Sequence, residues 1–247
     1  MNLSKFNFDV IHIDSVGSTN IYAQKLLGQE NVQEGLVLQA DYQKRGKGQL
    51  EKKWESKPGK NLLFSIVLRP SLKIENQFLL SKAISIGLKN FLDSLSVGEV
   101  NIKWPNDLLV NGEKIAGILI ENSIYGTRIK ASVVGIGLNV NQLEFQEYQR
   151  PATSLAKLSG KHSDLNKNLL SVLEQIKLAY LQMSTSPIQL NKTYLEALYG
   201  FGKPMKYEDE KGIFHGVIRG VLPNGSLQLN REGKLKNYNL KELKFLT

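Results

Sequence analysis

Apolar residues open the chain's pattern at 10–13 (Val10-Ile11-His12-Ile13), which predicts a short strand leading into a polar turn over 15–19. Ser18 or Thr19 can cap a helix over 20–27 that stops near Gly28. A strand is expected at 35–40. Periodicity then vanishes from Asp41 to Lys60, which marks a long loop. The run 61–68 reads as a buried strand closed by Arg69-Pro70. Leu79, Leu80, Ala83, Ile84, Ile86, Gly87 and Phe91 recur at helical spacing, so 75–95 should be a long helix. Short runs at 100–104 and 108–110 precede Asn111-Gly112, a strong hairpin dipeptide. Strands at 115–121 and 129–140 flank Tyr125-Gly126-Thr127, and helices are expected at 153–158, 165–183 and 190–198.

Beyond residue 199 the character changes. Short β runs at 205–207, 213–221, 226–230 and 234–238 alternate with glycine-bearing turns. The pattern predicts an α+β protein: a mixed, mostly antiparallel sheet with helices over 1–199, and a small β-barrel over 200–247. The Tyr199-Gly200-Phe201-Gly202 stretch is the expected boundary.

Composition narrows the classes. With 247 residues, 41% hydrophobic and 22% charged, the chain can bury a sizeable core, and wholesale disorder is excluded. The absence of cysteine removes disulfides, thiolate zinc sites, Fe–S clusters and a cysteine nucleophile. No apolar signal region follows Met1, and runs such as 115–120 fall far short of the roughly 20 residues of a membrane span. A soluble, cytoplasmic protein is the expectation. The net charge of +9 raises nucleic acid, acidic ligands and phosphate-bearing substrates as partners, beside a merely basic surface.

Familiar catalytic signatures are missing. The sequence has no P-loop, no H-E-x-x-H and no nucleophile elbow, and Gly135-Ile136-Gly137 lacks the third glycine of a dinucleotide fingerprint. His12, His162 and His215 are scattered. Charge, by contrast, is concentrated: residues 42–60 hold seven basic and two acidic side chains, +5 of the total +9. Gly46-Lys47-Gly48 within this loop would let backbone N–H groups and an ammonium approach an anion. With Trp54, the same loop suits single-stranded nucleic acid or is simply solvated. A second cluster is Lys103-Trp104-Pro105-Asn106-Asp107, followed by Lys114-Ile115-Ala116-Gly117. If these pair as a hairpin across Asn111-Gly112, Lys114 falls beside Asn106 and Asp107. Two ammonium groups near a carboxylate suit a nucleoside triphosphate with a divalent cation; a hairpin with exposed charges and a core Trp104 is the plainer alternative.

Taken in order, Ser18-Thr19-Asn20, Gln43, Gly46-Lys47-Gly48-Gln49, Trp54, Lys103-Trp104-Pro105-Asn106-Asp107, Lys114-Ile115-Ala116-Gly117 and Gly135-Ile136-Gly137-Leu138-Asn139 resemble the biotin protein ligase family. The resemblance implies a catalytic domain of the class II aminoacyl-tRNA synthetase and biotin–lipoate ligase type, with an SH3-like C-terminal barrel. It implies activation of biotin by ATP to biotinyl-5′-AMP, with Mg²⁺, and transfer to a lysine of the biotin carboxyl carrier domain of acetyl-CoA carboxylase or a related carboxylase. Lys114, Lys103 and Asp107 would be catalytic, Asp107 also holding Mg²⁺. Ser18, Thr19, Asn20, Gln43, Lys47, Gly48, Gln49, Lys114 and Gly117 would bind biotin. Gly46, Lys47, Trp54, Lys103, Asn106, Lys114 and Asn139 would bind ATP and the adenylate. Family loops read nearer G-R-G-R-x-G, so Gln49-Leu50-Glu51 departs from the pattern. Only 17 residues precede Ser18, too few for the DNA-binding domain of regulatory members, so repressor activity and DNA contact are not expected. No membrane contact is expected either, the apolar runs being too short. The partner would be the carrier domain, the protein itself being a monomer or homodimer. A lipoate–protein ligase and a nucleic-acid-binding protein using 42–60 are the competing readings.

Overall fold

A computed structural model describes residues 7–29, 31–49, 53–148 and 150–246; Leu50 and Glu51 of the divergent loop lie outside them. In chain order the elements are β1 (Asp9–Val16), α1 (Thr19–Gln29), β2 (Leu36–Gln43), β3 (Leu62–Leu68), α2 (Phe78–Ser94), β4 (Val100–Lys103), β5 (Asp107–Val110), β6 (Glu113–Tyr125) and β7 (Arg128–Leu138). They continue through α3 (Leu155–Ser159), α4 (Leu165–Thr185), α5 (Pro187–Glu196), β8 (Pro204–Asp209), β9 (Gly212–Val221), β10 (Leu227–Arg231), β11 (Lys234–Tyr238) and β12 (Lys244–Leu246). The first seven strands form one sheet ordered β1-β2-β3-β7-β6-β5-β4. Only β1 and β2 run parallel; every other neighbouring pair is antiparallel.

The stretch Leu62–Leu68, apolar except for Ser65 and buried throughout, makes sense at the centre of this sheet, because both faces of β3 are covered. Phe64 and Ile66 join the core built with α2 and α4, whereas Val67 points to a smaller cluster with Ala23, Leu38 and Val133 beneath α1. At the crossing of α2 and α4, a Cβ on Gly87 would lie 2.7 Å from the Ile176 Cα, so only glycine lets the backbones approach this closely. At the other extreme, β1 is an edge strand with most of its side chains exposed.

Across that edge His12 Nε2 lies 2.9 Å from Asp41 Oδ1. The bond to Asp41 raises the imidazole above its ordinary value of 6.5. The stability this contact contributes is therefore full below pH 6.5 and fades as pH rises through the elevated folded value. In an NMR titration the His12 ring protons should titrate above 6.5 and return toward it in Asp41→Asn; an unchanged midpoint would contradict the contact.

The C-terminal strands form a second, antiparallel sheet ordered β11-β10-β9-β8-β12. The expected barrel is thus open among the described residues, since β11 and β12 remain unpaired edges and β12 has only three residues. Side chains link the two edges instead. Phe214 stacks on Tyr238 of β11 with centroids 6.0 Å apart, and Tyr207 meets Phe245 of β12 at 5.1 Å. Beside them the Asp209 carboxylate accepts from Tyr238 and pairs with Lys236 and Arg231. Burial alone would raise this carboxyl, but the Lys211 amide, Lys236 and Tyr238 together hold it below the usual range.

The C-terminal sheet shares one continuous core with α2, α5 and the large sheet. Lys82 of α2 is 4% exposed and donates to Asn191 Oδ1 of α5 and to the Val221 carbonyl of β9. Burial lowers its ammonium to about 8. Among the described residues, no helix is long and apolar enough to cross a membrane.

Candidate active site

The expected hairpin forms. β5 pairs with β6 so that Leu109 faces Lys114 and Asp107 faces Gly117, with a register shift between Leu108 and Leu109, which leaves Lys114 and Asp107 as near neighbours. Lys114 Nζ lies 2.7 Å from Asp107 Oδ1, both side chains being partly buried. The backbone of Asn106 is tied to Ile118, which donates from its N–H at 2.9 Å and accepts from Asn106 Nδ2 at 2.8 Å. Lys114 itself is fixed on both sides, its N–H donating to Pro151 and its carbonyl accepting from Thr153.

These groups line a cavity of about 410 Å³. Ser18, Thr19, Asn20, Gln43, Lys47, Gly48, Gln49, Trp54, Lys103, Asn106, Asp107, Lys114, Gly117 and Asn139 all reach it. Gly46 is not part of the lining; its carbonyl accepts from Trp54 N–H and it sits against the Trp54 backbone.

One end of the cavity is a neutral polar cradle. Thr19 donates from its backbone N–H to Gln43 Oε1 at 2.8 Å, and its hydroxyl does so at 3.2 Å. Asn20 donates to the Leu119 carbonyl and to Glu121 Oε2 at 2.8 Å. The Ser65 hydroxyl lies 2.7 Å from Thr19 Oγ1 and 2.6 Å from Asn20 Oδ1. Buried polar groups this densely bonded keep one orientation, so the cradle is preorganised. Gly135 makes it possible: a Cβ there would stand 2.1 Å from Asn20 Oδ1.

The middle is floored by Trp54. Its indole covers Gly117 and Gly137, where a Cβ would lie 2.9 Å and 2.3 Å from the ring. The Lys114 ammonium stands 5.4 Å from the Trp54 ring centroid. Trp54 Nε1 is buried without a hydrogen-bond partner, as is Asn139 Oδ1. Each such group costs roughly 1–3 kcal/mol until something satisfies it.

Cations line much of the rest of the cavity. Lys47 and Lys53 form an isolated bridge that folds the basic loop back on itself, and both face the cavity with Lys103, Lys114 and Arg150. Lys57 is instead neutralised by Glu144. Glu55 anchors the loop by accepting from Tyr148 Oη and from the Gln146 N–H. Burial, together with that bond, pushes the Tyr148 hydroxyl up to about 12.

Several of these residues escaped the sequence reading. Ser65 had a visible signal, a hydroxyl inside an otherwise apolar strand. Lys53 stood out only as one of the seven basic residues of the loop 42–60, and Glu121, Phe145, Tyr148 and Arg150 carried no signal, the last three lying in irregular chain after β7.

Residues 12–139 match the family model described as "Biotin/lipoate A/B protein ligase family". The bifunctional ligase/repressor BirA of Bacillus subtilis is 30% identical over 237 residues, covering 93% of this chain and 72% of the relative. The biotin–[acetyl-CoA-carboxylase] ligase of Mycobacterium tuberculosis is 28% identical over 229 residues, covering 90% and 83%. Among solved structures, the biotin protein ligase of Aquifex aeolicus in complex with biotin and ATP superposes with a TM-score of 0.79 at 30% identity, covering 96% of this chain and 99% of that one. By both sequence and fold, the chain belongs to the biotin/lipoate A/B protein ligase family.

Proposed function

We propose that this protein is a biotin protein ligase: it activates biotin with ATP and transfers it to a lysine on the biotin carboxyl carrier domain of a carboxylase. The observation that carries this reading is the division of one cavity into a neutral amide–hydroxyl cradle and a cationic part that includes the Lys114–Asp107 pair. A ureido ring has donors and an acceptor for Ser18, Thr19, Asn20 and Gln43, whereas the dithiolane of lipoate offers the cradle nothing to bond. Lys47, Gly48, Gln49 and Gly117 flank the side chain of biotin.

In the first step a biotin carboxylate oxygen bonds to the α-phosphorus of ATP, the α–β bridging bond breaks, and pyrophosphate leaves. Carboxylate and triphosphate repel each other, so fixed cations must offset that repulsion as charge builds in the transition state. Lys114 and Lys103 serve this purpose, helped by Lys47 at the loop. In the second step the acceptor amine attacks the anhydride carbonyl and AMP departs. Asp107, held by Lys114, faces the incoming ammonium and takes its proton. Asn139 Oδ1 and the Trp54 N–H are the unsatisfied acceptor and donor that adenine and adenylate would engage, with Gly46 setting the Trp54 backbone. Mg²⁺ fits the cationic part of the cavity, since the ion typically takes one or two carboxylates plus phosphate oxygens and Asp107 provides a carboxylate. When bound it would neutralise phosphate charge.

Two observables follow. Biotin, but not lipoate, should drive exchange between ATP and labelled pyrophosphate; lipoate-driven exchange without a biotin response would overturn the reading. Trp104 is buried and its indole is bonded to Gly225, so ligand-induced fluorescence changes should come from Trp54. Quenching by biotin plus ATP is therefore expected in the native protein and absent in Trp54→Phe.

A further inference from the structure

We infer that Phe245 of β12 is the positioning residue aiming the Lys103 ammonium at the polyphosphate of a nucleoside triphosphate. The inference rests on the functional reading of the cavity given above.

Lys103 is the last residue of β4 and lines the cavity. Its Nζ stands 4.9 Å from the centroid of the Phe245 ring, over the electron-rich face. Phe245 belongs to β12 and pairs across the sheet with Tyr207 of β8. Tyr207 is fully buried and meets the Phe245 ring edge-on at 72°, so the ring cannot turn freely. An aromatic face attracts an ammonium and so fixes the direction in which the lysine side chain points. The neighbouring residue is held from the same sheet by a separate element: Trp104 Nε1 donates to the Gly225 carbonyl at 2.9 Å, in the turn between β9 and β10. Two consecutive residues of the turn that carries Asn106 and Asp107 are thus fixed by different parts of the C-terminal sheet.

The test compares Phe245→Leu, which keeps apolar volume but removes the ring, with Phe245→Tyr, which keeps the ring. In biotin-dependent ATP–pyrophosphate exchange, Phe245→Leu should raise KM for ATP about threefold to thirtyfold, the size of a lost cation–π contact. KM for biotin should stay unchanged, and Phe245→Tyr should behave as the native enzyme. In a Lys103→Met background, Phe245→Leu should cause no further loss, because the contact is already gone. Equal rises in both KM values, a defect in Phe245→Tyr as large as in Phe245→Leu, or additive losses in the double variant would each overturn the inference. ATP affinity measured by titration calorimetry gives the same comparison without turnover. A native protein that binds ATP but does not exchange would therefore count against the functional reading alone.

Discussion

Lys114→Ala is expected to lower biotin-dependent ATP–pyrophosphate exchange by about 10³-fold while the protein keeps its fold. Removing one fixed charge or donor aimed at a developing anion typically costs 10²–10³ in rate. Here Lys114 also separates two like-charged reactants. The structural cost should be small. Its ion pair with Asp107 is partly exposed, so its loss should cost on the order of 1 kcal/mol after solvent screening. The Lys114 backbone bonds to Pro151 and Thr153 survive the substitution. Circular dichroism and melting close to the native protein, with exchange reduced to background, is the expected combination. Exchange within a few fold of native would remove Lys114 from its role.

Gly135→Ala should be nearly as damaging by a different route. The new Cβ would stand 2.1 Å from Asn20 Oδ1, a distance no such contact tolerates. Asn20 cannot yield cheaply, since it bonds to Leu119 and Glu121 and lies against the Ser65 hydroxyl. Displacing Asn20 takes its amide out of the biotin cradle, and each hydrogen bond to the ligand lost at about 1–1.5 kcal/mol lowers biotin affinity roughly tenfold. Overpacking adds about 1–3 kcal/mol of destabilisation, or several degrees in Tm. Affinity for ATP alone should fall far less, because Asn139 and the cationic side chains are not part of the cradle. Equal losses for the two ligands in calorimetry would place Gly135 in the general core instead.

Local signals made much of this legible before any coordinates. Asn111-Gly112 announced the β5–β6 hairpin, and that pairing alone was enough to place Lys114 near Asp107. The long run at 61–68 announced a strand covered on both sides, and the spacing from Leu79 to Phe91 announced α2. What stayed hidden was long-range. The Ser65 hydroxyl meets Thr19 and Asn20 from more than forty residues away, and Glu121 reaches Asn20 across 101 positions. Tyr148 and Arg150 sit in irregular chain whose course is set by Glu55 and by the Gly112 carbonyl rather than by any periodicity. β12 is too short for an alternating pattern to show, yet it brings Phe245 to Lys103. The basic loop is the clearest case of a composition signal that only geometry resolves. Lys47 and Lys53 turn toward the cavity while Lys57 is spent on Glu144.

The central claim is that one cavity both forms the activated acyl group and delivers it to an amine. Incubating the protein with ATP, biotin and the biotin carboxyl carrier domain of a carboxylase, then weighing the carrier by intact-protein mass spectrometry, tests that claim directly. The account predicts a gain of one biotinyl group on a single lysine, dependent on ATP and lost with Lys114→Ala. A carrier of unchanged mass, or one modified equally by the Lys114→Ala variant, would contradict it.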